Sequence, residues 1–284
     1  MALDRRLNAY RDDLADKALE GQVTATRFTH GEPGRIAVPV TGLRPKPEAT
    51  TGIDTELLLG EDVNVFDRAA GWAWVQAQSD GYVGYLPETA LAIGTPLPSH
   101  HVIVPRTFLY PGPDLRFPVS AALSMGSRLT VVGEAETRGT RYLLLADGRA
   151  VVANHCLPLG AYAADDYVAI AVRFIETPYL WGGRSGFGID CSGLVQLALQ
   201  MTGRKAPRDS DMQALNLGAA ISRDELRRGD LVFWKGHAGI MVDDRTLLHA
   251  NGHTMTVALE DFEAAVKRIG WLYEMPTGYR RPVA

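Results

Sequence analysis

The 284-residue sequence predicts a multidomain chain, two small all-β barrels followed by an α+β domain. Three observations carry that expectation. Between Glu56 and Pro158 short β-type runs alternate with glycine turns, the pattern of small antiparallel barrels. Near Ala163 the apolar spacing changes to that of a helix. After Gly229 alternation returns as an antiparallel meander, and helices before a sheet mean α+β.

Leu3, Leu7, Tyr10 and Leu14 recur at helical spacing and Gly21 is placed to stop the turn, which predicts an amphipathic helix over residues 2–20. Residues 31–52 hold four prolines and four glycines and read as connecting chain with one edge strand at Ile36 to Val40. ELLLGEDVNVFD, GWAWVQAQ and DGYVGYLP supply the first barrel, with turns at Gly60-Glu61, Ala70-Gly71 and Asp80-Gly81. VIVPRTFLYPGP, SRLTVVGEAE, TRYLLLADG and RAVVANHCLPL repeat that order as a second barrel. The expected boundaries are residues 1–35 for the N-terminal helix and linker, 36–95 and 96–160 for the two barrels, and 161–284 for the α+β domain.

In that last domain DDYVAIAVRFIETP sets Tyr167, Ile170, Ala171 and Phe174 on one helical face and stops before Pro178. CSGLVQLALQMTG is apolar almost all round, the signature of a buried helix, and Gly203 closes it. Ser222 and Glu225 have capping-box spacing for one short helix. LVFW, HAGIMV and TLLHA, separated by Lys235-Gly236 and Asp243-Asp244, form the meander.

Apolar residues make up 46% and charged residues 22%, and the net charge of -4 lacks the basic excess that a nucleic-acid partner demands. The N-terminus is charged from Asp4 onward with no apolar signal core, and no apolar run is long enough to span a bilayer, so the expectation is a cytoplasmic protein without a membrane partner. Cys156 and Cys191 form no CxxC or Cys/His cluster, which argues against a disulfide or zinc site.

Cys191 stands between Asp190 and Ser192, just after the glycine-rich stretch YLWGGRSGFGI. At the start of a helix, unpaired N–H groups favour negative charge and draw a thiol toward the reactive thiolate. His237 and His249 lie on consecutive expected strands, directly opposite each other if an odd-numbered turn centres on residue 243. One imidazole then serves as base and the second fixes its tautomer, the logic of a Cys-His-His triad. Cys156, after a valine-rich strand, reads as packing, and His30, His100, His101, His155 and His253 as ordinary core or surface histidines. His249 and His253 have metal-binding helical spacing, but ANG between them breaks a helix.

TPYLWGGRSGFGIDCSGLVQ, APRDSDMQ, LRRGDLVFWKGHAGIMVDD and LLHANG together resemble the NlpC/P60 cysteine peptidases, over roughly Ala163 to Tyr279. The resemblance implies a papain-like fold and cleavage of peptide stems of bacterial cell wall, with Cys191 as nucleophile, His237 as base and His249 as the orienting third residue. Two bacterial SH3-like domains ahead of such a domain resemble the γ-D-glutamyl-L-diamino acid endopeptidases, which act on free murein peptides beginning L-Ala-γ-D-Glu. That likeness implies that Asp190 pairs with the substrate ammonium, Ser192 bonds its backbone and Tyr82 meets it from the first barrel, with Glu56 or Glu61 as a second carboxylate. Trp181 lines the cleft, and Arg184 or Arg208 holds the free α-carboxylate unless it serves a structural ion pair, Arg208 standing near Asp209 and Asp211. A serine that some relatives carry falls near Asp211, whereas here Ser210 precedes it. No metal or organic cofactor is implied, and the third residue, diaminopimelate or lysine, stays open. The alternatives are a non-catalytic wall-binding SH3 protein and a Cys-His amidase or acyl transferase.

Overall fold

In the computed structural model, which describes residues 3–282, the chain divides between Leu159 and Gly160 into two units. The first begins with a sheet whose strand order is Val83–Pro87, Trp72–Ala77, Asp62–Ala69, Glu32–Ile36 and Leu91–Ala92. Alternation directs Val63, Val65, Ala73 and Val75 inward, where they bury with Ile36, Leu43, Leu57 and Leu86. Ala70 and Gly71 both adopt positive φ, which matches the twist of the hairpin they close.

Two expectations fail here. The 2–20 helix does not form; residue 2 lies outside the described residues, and the rest makes turns, a strand Leu14–Asp16 parallel to Arg27–Thr29, and one 3-10 turn over Lys17–Leu19. Leu14 and Ala15 are both buried, in a strand whose ladder runs along Arg27–Thr29 and not in a helix. Asp4 and Asp16 each accept a backbone N–H two residues on, the local bond that competes with a helix. The edge strand expected at Ile36 to Val40 is two strands, Glu32–Ile36 and Val40–Leu43. The first is interior to the sheet, and its outer neighbour covers only Arg35 and Ile36, so Pro33 keeps an open side.

The second half of this unit sets Ala121–Ser124, Arg106–Tyr110, Ala150–Val152, Thr140–Leu145 and Val131–Thr137 in one sheet, in that order. Arg128–Leu129, His100–Val102 and Cys156–Pro158 form a smaller one around Val102, Leu109, Leu143, Val151 and Cys156. Leu59 accepts a bond from the Arg128 N–H at 2.7 Å. Beside it Gly60, at φ +80°, approaches so closely that a Cβ there would lie 2.3 Å from the Arg128 carbonyl oxygen.

The second unit opens with α1 (Tyr167–Ala171) and a 3-10 turn Val172–Phe174, with Tyr167, Ile170, Ala171 and Phe174 all buried. A small hairpin, Arg184–Ser185 with Gly188–Ile189, leads into α2 (Cys191–Gln200), in which every residue from Cys191 to Leu199 is buried. α3 (Ser210–Asn216) precedes a six-stranded antiparallel sheet ordered Ala219–Ala220, Gly278–Arg281, Leu231–Trp234, His237–Met241, Thr246–Asn251 and Thr256–Asp261. α4 (Phe262–Leu272) is capped by Asp261 and buries Phe262, Ala265, Val266 and Ile269 against Val232, Trp234, Met241 and Leu247 of the sheet. Among the described residues no helix is long and apolar enough to cross a membrane.

Gly60→Val combines positive-φ strain with overlap of the Arg128 carbonyl, and is expected to cost about 2–3 kcal/mol. Gly71→Ala, with the same φ but nothing within 4 Å, is expected to cost about 1 kcal/mol. Urea unfolding of the whole chain reads both.

Candidate active site

Glycine positions the start of α2. A Cβ on Gly193 would lie 2.4 Å from the Gly183 carbonyl oxygen, and one on Gly183 would lie 2.6 Å from that of Gly188; only bare backbone lets the helix terminus sit this close to the loop. Asp190 is the N-cap, accepting the Gly193 N–H at 2.7 Å through Oδ1 and the Gly182 N–H at 2.9 Å through Oδ2. Arg208 grips the same carboxylate with both amino groups, at 3.0 and 2.7 Å. It also donates to Ser192 Oγ at 2.8 Å and to the Gly183 carbonyl at 3.3 Å.

Arg208 is 1% exposed. The structure thus joins Asp190, Ser192 and Arg208, expected as separate substrate contacts, into one hydrogen-bonded group, with Asp190 as the bidentate partner of the guanidinium. Arg184 is buried as well and donates to Gln200. Ser210 and Asp211 fall in the first turn of α3.

Cys191 is the first residue of α2 and is buried. Its Sγ lies 4.0 Å from the Gly236 carbonyl oxygen and is approached by the Ala238 N–H, so the residues on both sides of His237 touch the thiol. The helix terminus was expected to draw this thiol toward the thiolate, and the opposite holds: burial, followed by the nearby charge of Asp190, pushes it up to about 12. Burial, followed by His249, pushes the His237 imidazole down to about 3. Burial thus disfavours the charged form of both the thiol and the imidazole.

The register differs from the expected one. Ile240 pairs with Leu248 and Met241 with Leu247, which centres the turn on residue 244 and makes the two histidines diagonal neighbours. They meet all the same, His237 Nε2 lying 3.0 Å from His249 Nδ1 with the rings tilted by 59°. Trp234 flanks His237 with ring centroids 5.6 Å apart.

Sequence reasoning missed what lies behind His249. Glu260 Oε2 is 3.1 Å from His249 Nε2, and Arg268 binds both Glu260 oxygens, at 2.9 and 2.5 Å. The signal was present: Asp261 as N-cap before Phe262, Ala265, Val266 and Ile269 marks a helix, which puts Glu260 on the strand before it.

A cleft of about 410 Å³ opens beside His237, lined by Tyr179, Trp181, Trp234, Lys235, His253 and Tyr273 among others. Trp181 is 70% exposed. In the first unit Tyr82 is buried in the barrel core, Glu61 accepts the Leu58 N–H of its own turn, and Glu56 is buried on the Thr55–Leu58 strand. Cys156 packs in the other half of that unit, and burial pushes its thiol up to about 12.

Residues 176–269 match the NlpC/P60 family and residues 43–91 match the bacterial dipeptidyl-peptidase SH3 domain. A γ-D-glutamyl-L-lysine dipeptidyl-peptidase of Bacillus cereus is 31% identical over 228 residues, 70% of this chain and 67% of that protein. The chain belongs to the NlpC/P60 family. It is a peptidase, and so a hydrolase, with an SH3 domain ahead of its catalytic domain. A second relative, named γ-D-glutamyl-L-lysine dipeptidyl-peptidase in Bacillus subtilis, is 29% identical over 218 residues, 70% of this chain and 72% of its own. The crystal structure of an NlpC/P60 family protein from Bacillus cereus shares the fold of this NlpC/P60 peptidase, with a TM-score of 0.74 at 24% identity, over 89% of this chain and 100% of that one.

Arg208→Met strips Asp190 of its buried counter-ion and is expected to cost about 3–5 kcal/mol of stability in denaturant unfolding. The double variant with Asp190→Asn should recover part of that loss. His237 binds a proton less readily folded than unfolded, so its contribution to stability is full above pH 6.5 and is lost as the pH falls toward about 3. The stability difference between wild type and His237→Gln, measured by unfolding across pH, is expected to be flat above pH 7 and to move against the wild type on acidification.

Proposed function

We propose that this peptidase hydrolyses the γ-D-glutamyl-L-diamino acid bond of murein peptides with a free N-terminal L-Ala, in cytoplasmic recycling of cell-wall peptides. The observation that carries the reading is the hydrogen-bonded His237–His249 pair beside a buried cysteine at a helix terminus, in a chain whose residues 43–91 match a dipeptidyl-peptidase SH3 domain. The names of the Bacillus relatives support the bond and the dipeptide product.

In this reading Cys191 is the nucleophile, His237 the base and His249 the residue that orients it. With burial disfavouring charge on both thiol and imidazole, the proton passes to His237 as Sγ attacks the γ-glutamyl carbonyl carbon. The Cys191 N–H supports the developing oxyanion. The C–N bond then breaks, His237 returns the proton to the leaving amine, and a thioester remains. Water, deprotonated by His237, hydrolyses it and frees the thiol.

Of the buried pair, the Asp190 side chain keeps 11% exposure against 1% for Arg208. That favours Asp190 as the partner of the substrate ammonium, with Ser192 on the peptide backbone, and Arg208 as the counter-ion that aims Asp190 instead of a ligand for the α-carboxylate. A charge entering a cleft without such a partner costs several kcal/mol. Trp181 lines the cleft. The domain reading is two SH3-like barrels at 36–95 and 96–160 before a papain-like domain at 161–284, the second barrel resting on its sheet of short strands.

Mass spectrometry of L-Ala-γ-D-Glu-diaminopimelate incubated with the protein, beside the N-acetylated peptide, tests the function. Release of Ala-Glu from the free peptide alone is expected. Cleavage of both would show that a free N-terminus is not required, and cleavage of neither would overturn the proposal. Cys191→Ala is expected to lower kcat by at least about 10⁴-fold with an unchanged unfolding midpoint, whereas Cys156→Ala keeps full activity.

A further inference from the structure

Glu260 is the penultimate residue of the last strand of the six-stranded sheet, and Arg268 stands on α4. Arg268 donates from Nε to Glu260 Oε1 and from Nη2 to Oε2, and the same Oε2 lies 3.1 Å from His249 Nε2. The bond from His249, followed by Arg268, holds the Glu260 carboxyl down to about 2, so it is ionised wherever the protein is folded and active. An ionised carboxylate only accepts hydrogen bonds, and a neutral His249 must therefore carry its one proton on Nε2. That leaves His249 Nδ1 as an acceptor, and Nδ1 is the atom 3.0 Å from His237 Nε2. His237 in turn must carry its proton on Nε2, which leaves its own Nδ1 with a free lone pair.

We propose that Glu260, clamped by Arg268, is a positioning residue that sets the tautomer of both histidines and thereby makes Nδ1 of His237 the base that accepts the Cys191 proton. The inference rests on the reading of Cys191, His237 and His249 as the catalytic triad. A carboxylate that fixes an imidazole tautomer is familiar from serine-protease triads; here it acts through one further histidine. The His249 side chain is 0% exposed, so its Nε2 proton is met by this carboxylate and not by bulk water, and in such surroundings each hydrogen bond strengthens the next.

A purely structural role would be to pin α4 to the sheet through the ion pair with Arg268. The two roles separate by substitution. Glu260→Gln ends the ion pair but retains an oxygen that accepts from His249, whereas Glu260→Met keeps the length and accepts nothing. Glu260 is 23% exposed at its side chain, so the methionine is tolerated in space. In Glu260→Met, kcat is expected to fall about 10- to 100-fold, with KM held within about twofold because no substrate contact is lost. Glu260→Gln is expected to stay within about threefold of wild type on the same comparison. Equal losses in both variants, or loss in neither, would overturn the proposal.

Nitrogen-15 NMR of histidine-labelled full-length protein, with His237→Gln for assignment, reads the tautomers directly. Wild type is expected to show a protonated Nε2 and a bare Nδ1 on both rings, and Glu260→Met a loss of that preference on His249. A wild-type His249 protonated on Nδ1 would contradict the inference outright. If wild type cleaves no γ-glutamyl peptide, the functional reading fails, yet these spectra still decide the role of Glu260.

Discussion

Everything at the reactive end of the second unit hangs on the buried pair of Asp190 and Arg208. The Asp190 carboxylate ends α2, ties down the loop through the Gly182 N–H and holds a guanidinium that reaches both Ser192 and the Gly183 carbonyl. A charge this deep is tolerable only when paired and fully hydrogen-bonded, so the pair admits one arrangement of loop, helix terminus and Arg208 segment. Cys191 inherits its place from that arrangement, one residue after the cap. The glycines at 183 and 193 belong to the same constraint, since any side chain there would push the helix off the loop.

On the sheet side the histidines are held by a chain of hydrogen bonds running from Arg268 through Glu260 and His249 to His237. The two supports differ in kind. One is an ion pair that fixes backbone, the other a polar relay that fixes side-chain orientation and proton position. They converge where Gly236 and Ala238 touch the Cys191 thiol. Burial disfavours charge on both the thiol and His237.

Much of this was legible in the chain. The α2 helix announced itself by being apolar all round after Asp190, and the meander by alternation between glycine and aspartate turns. Side-chain distance, however, depends on register, and the residues of the Asp243 turn allow centring on 243 or 244; the hydrogen bond from Val242 N–H to the Thr246 carbonyl chooses the latter. The thiol's protonation was misread because the helix-terminus effect is visible in sequence while burial is not. The N-terminal segment misled for a related reason: Leu3, Leu7, Tyr10 and Leu14 keep helical spacing, but tertiary burial of Ala9 and Leu14 with Phe66, Trp74 and Val83 overrides propensity. Glu260 and Arg268 were out of reach without the cap at Asp261, because charged residues eight positions apart carry no pairing signal until strand and helix are placed.

The central claim is that Cys191 forms a thioester with the γ-glutamyl group. Intact-protein mass spectrometry of an acid-quenched reaction with a slow γ-glutamyl ester of L-Ala-γ-D-Glu, followed by peptide mapping, tests it most directly. A single adduct of the dipeptidyl mass on the peptide bearing Cys191, absent from Cys156 and lost on treatment with hydroxylamine, is the predicted result. Turnover without any adduct at Cys191, or an adduct on another residue, would contradict the account.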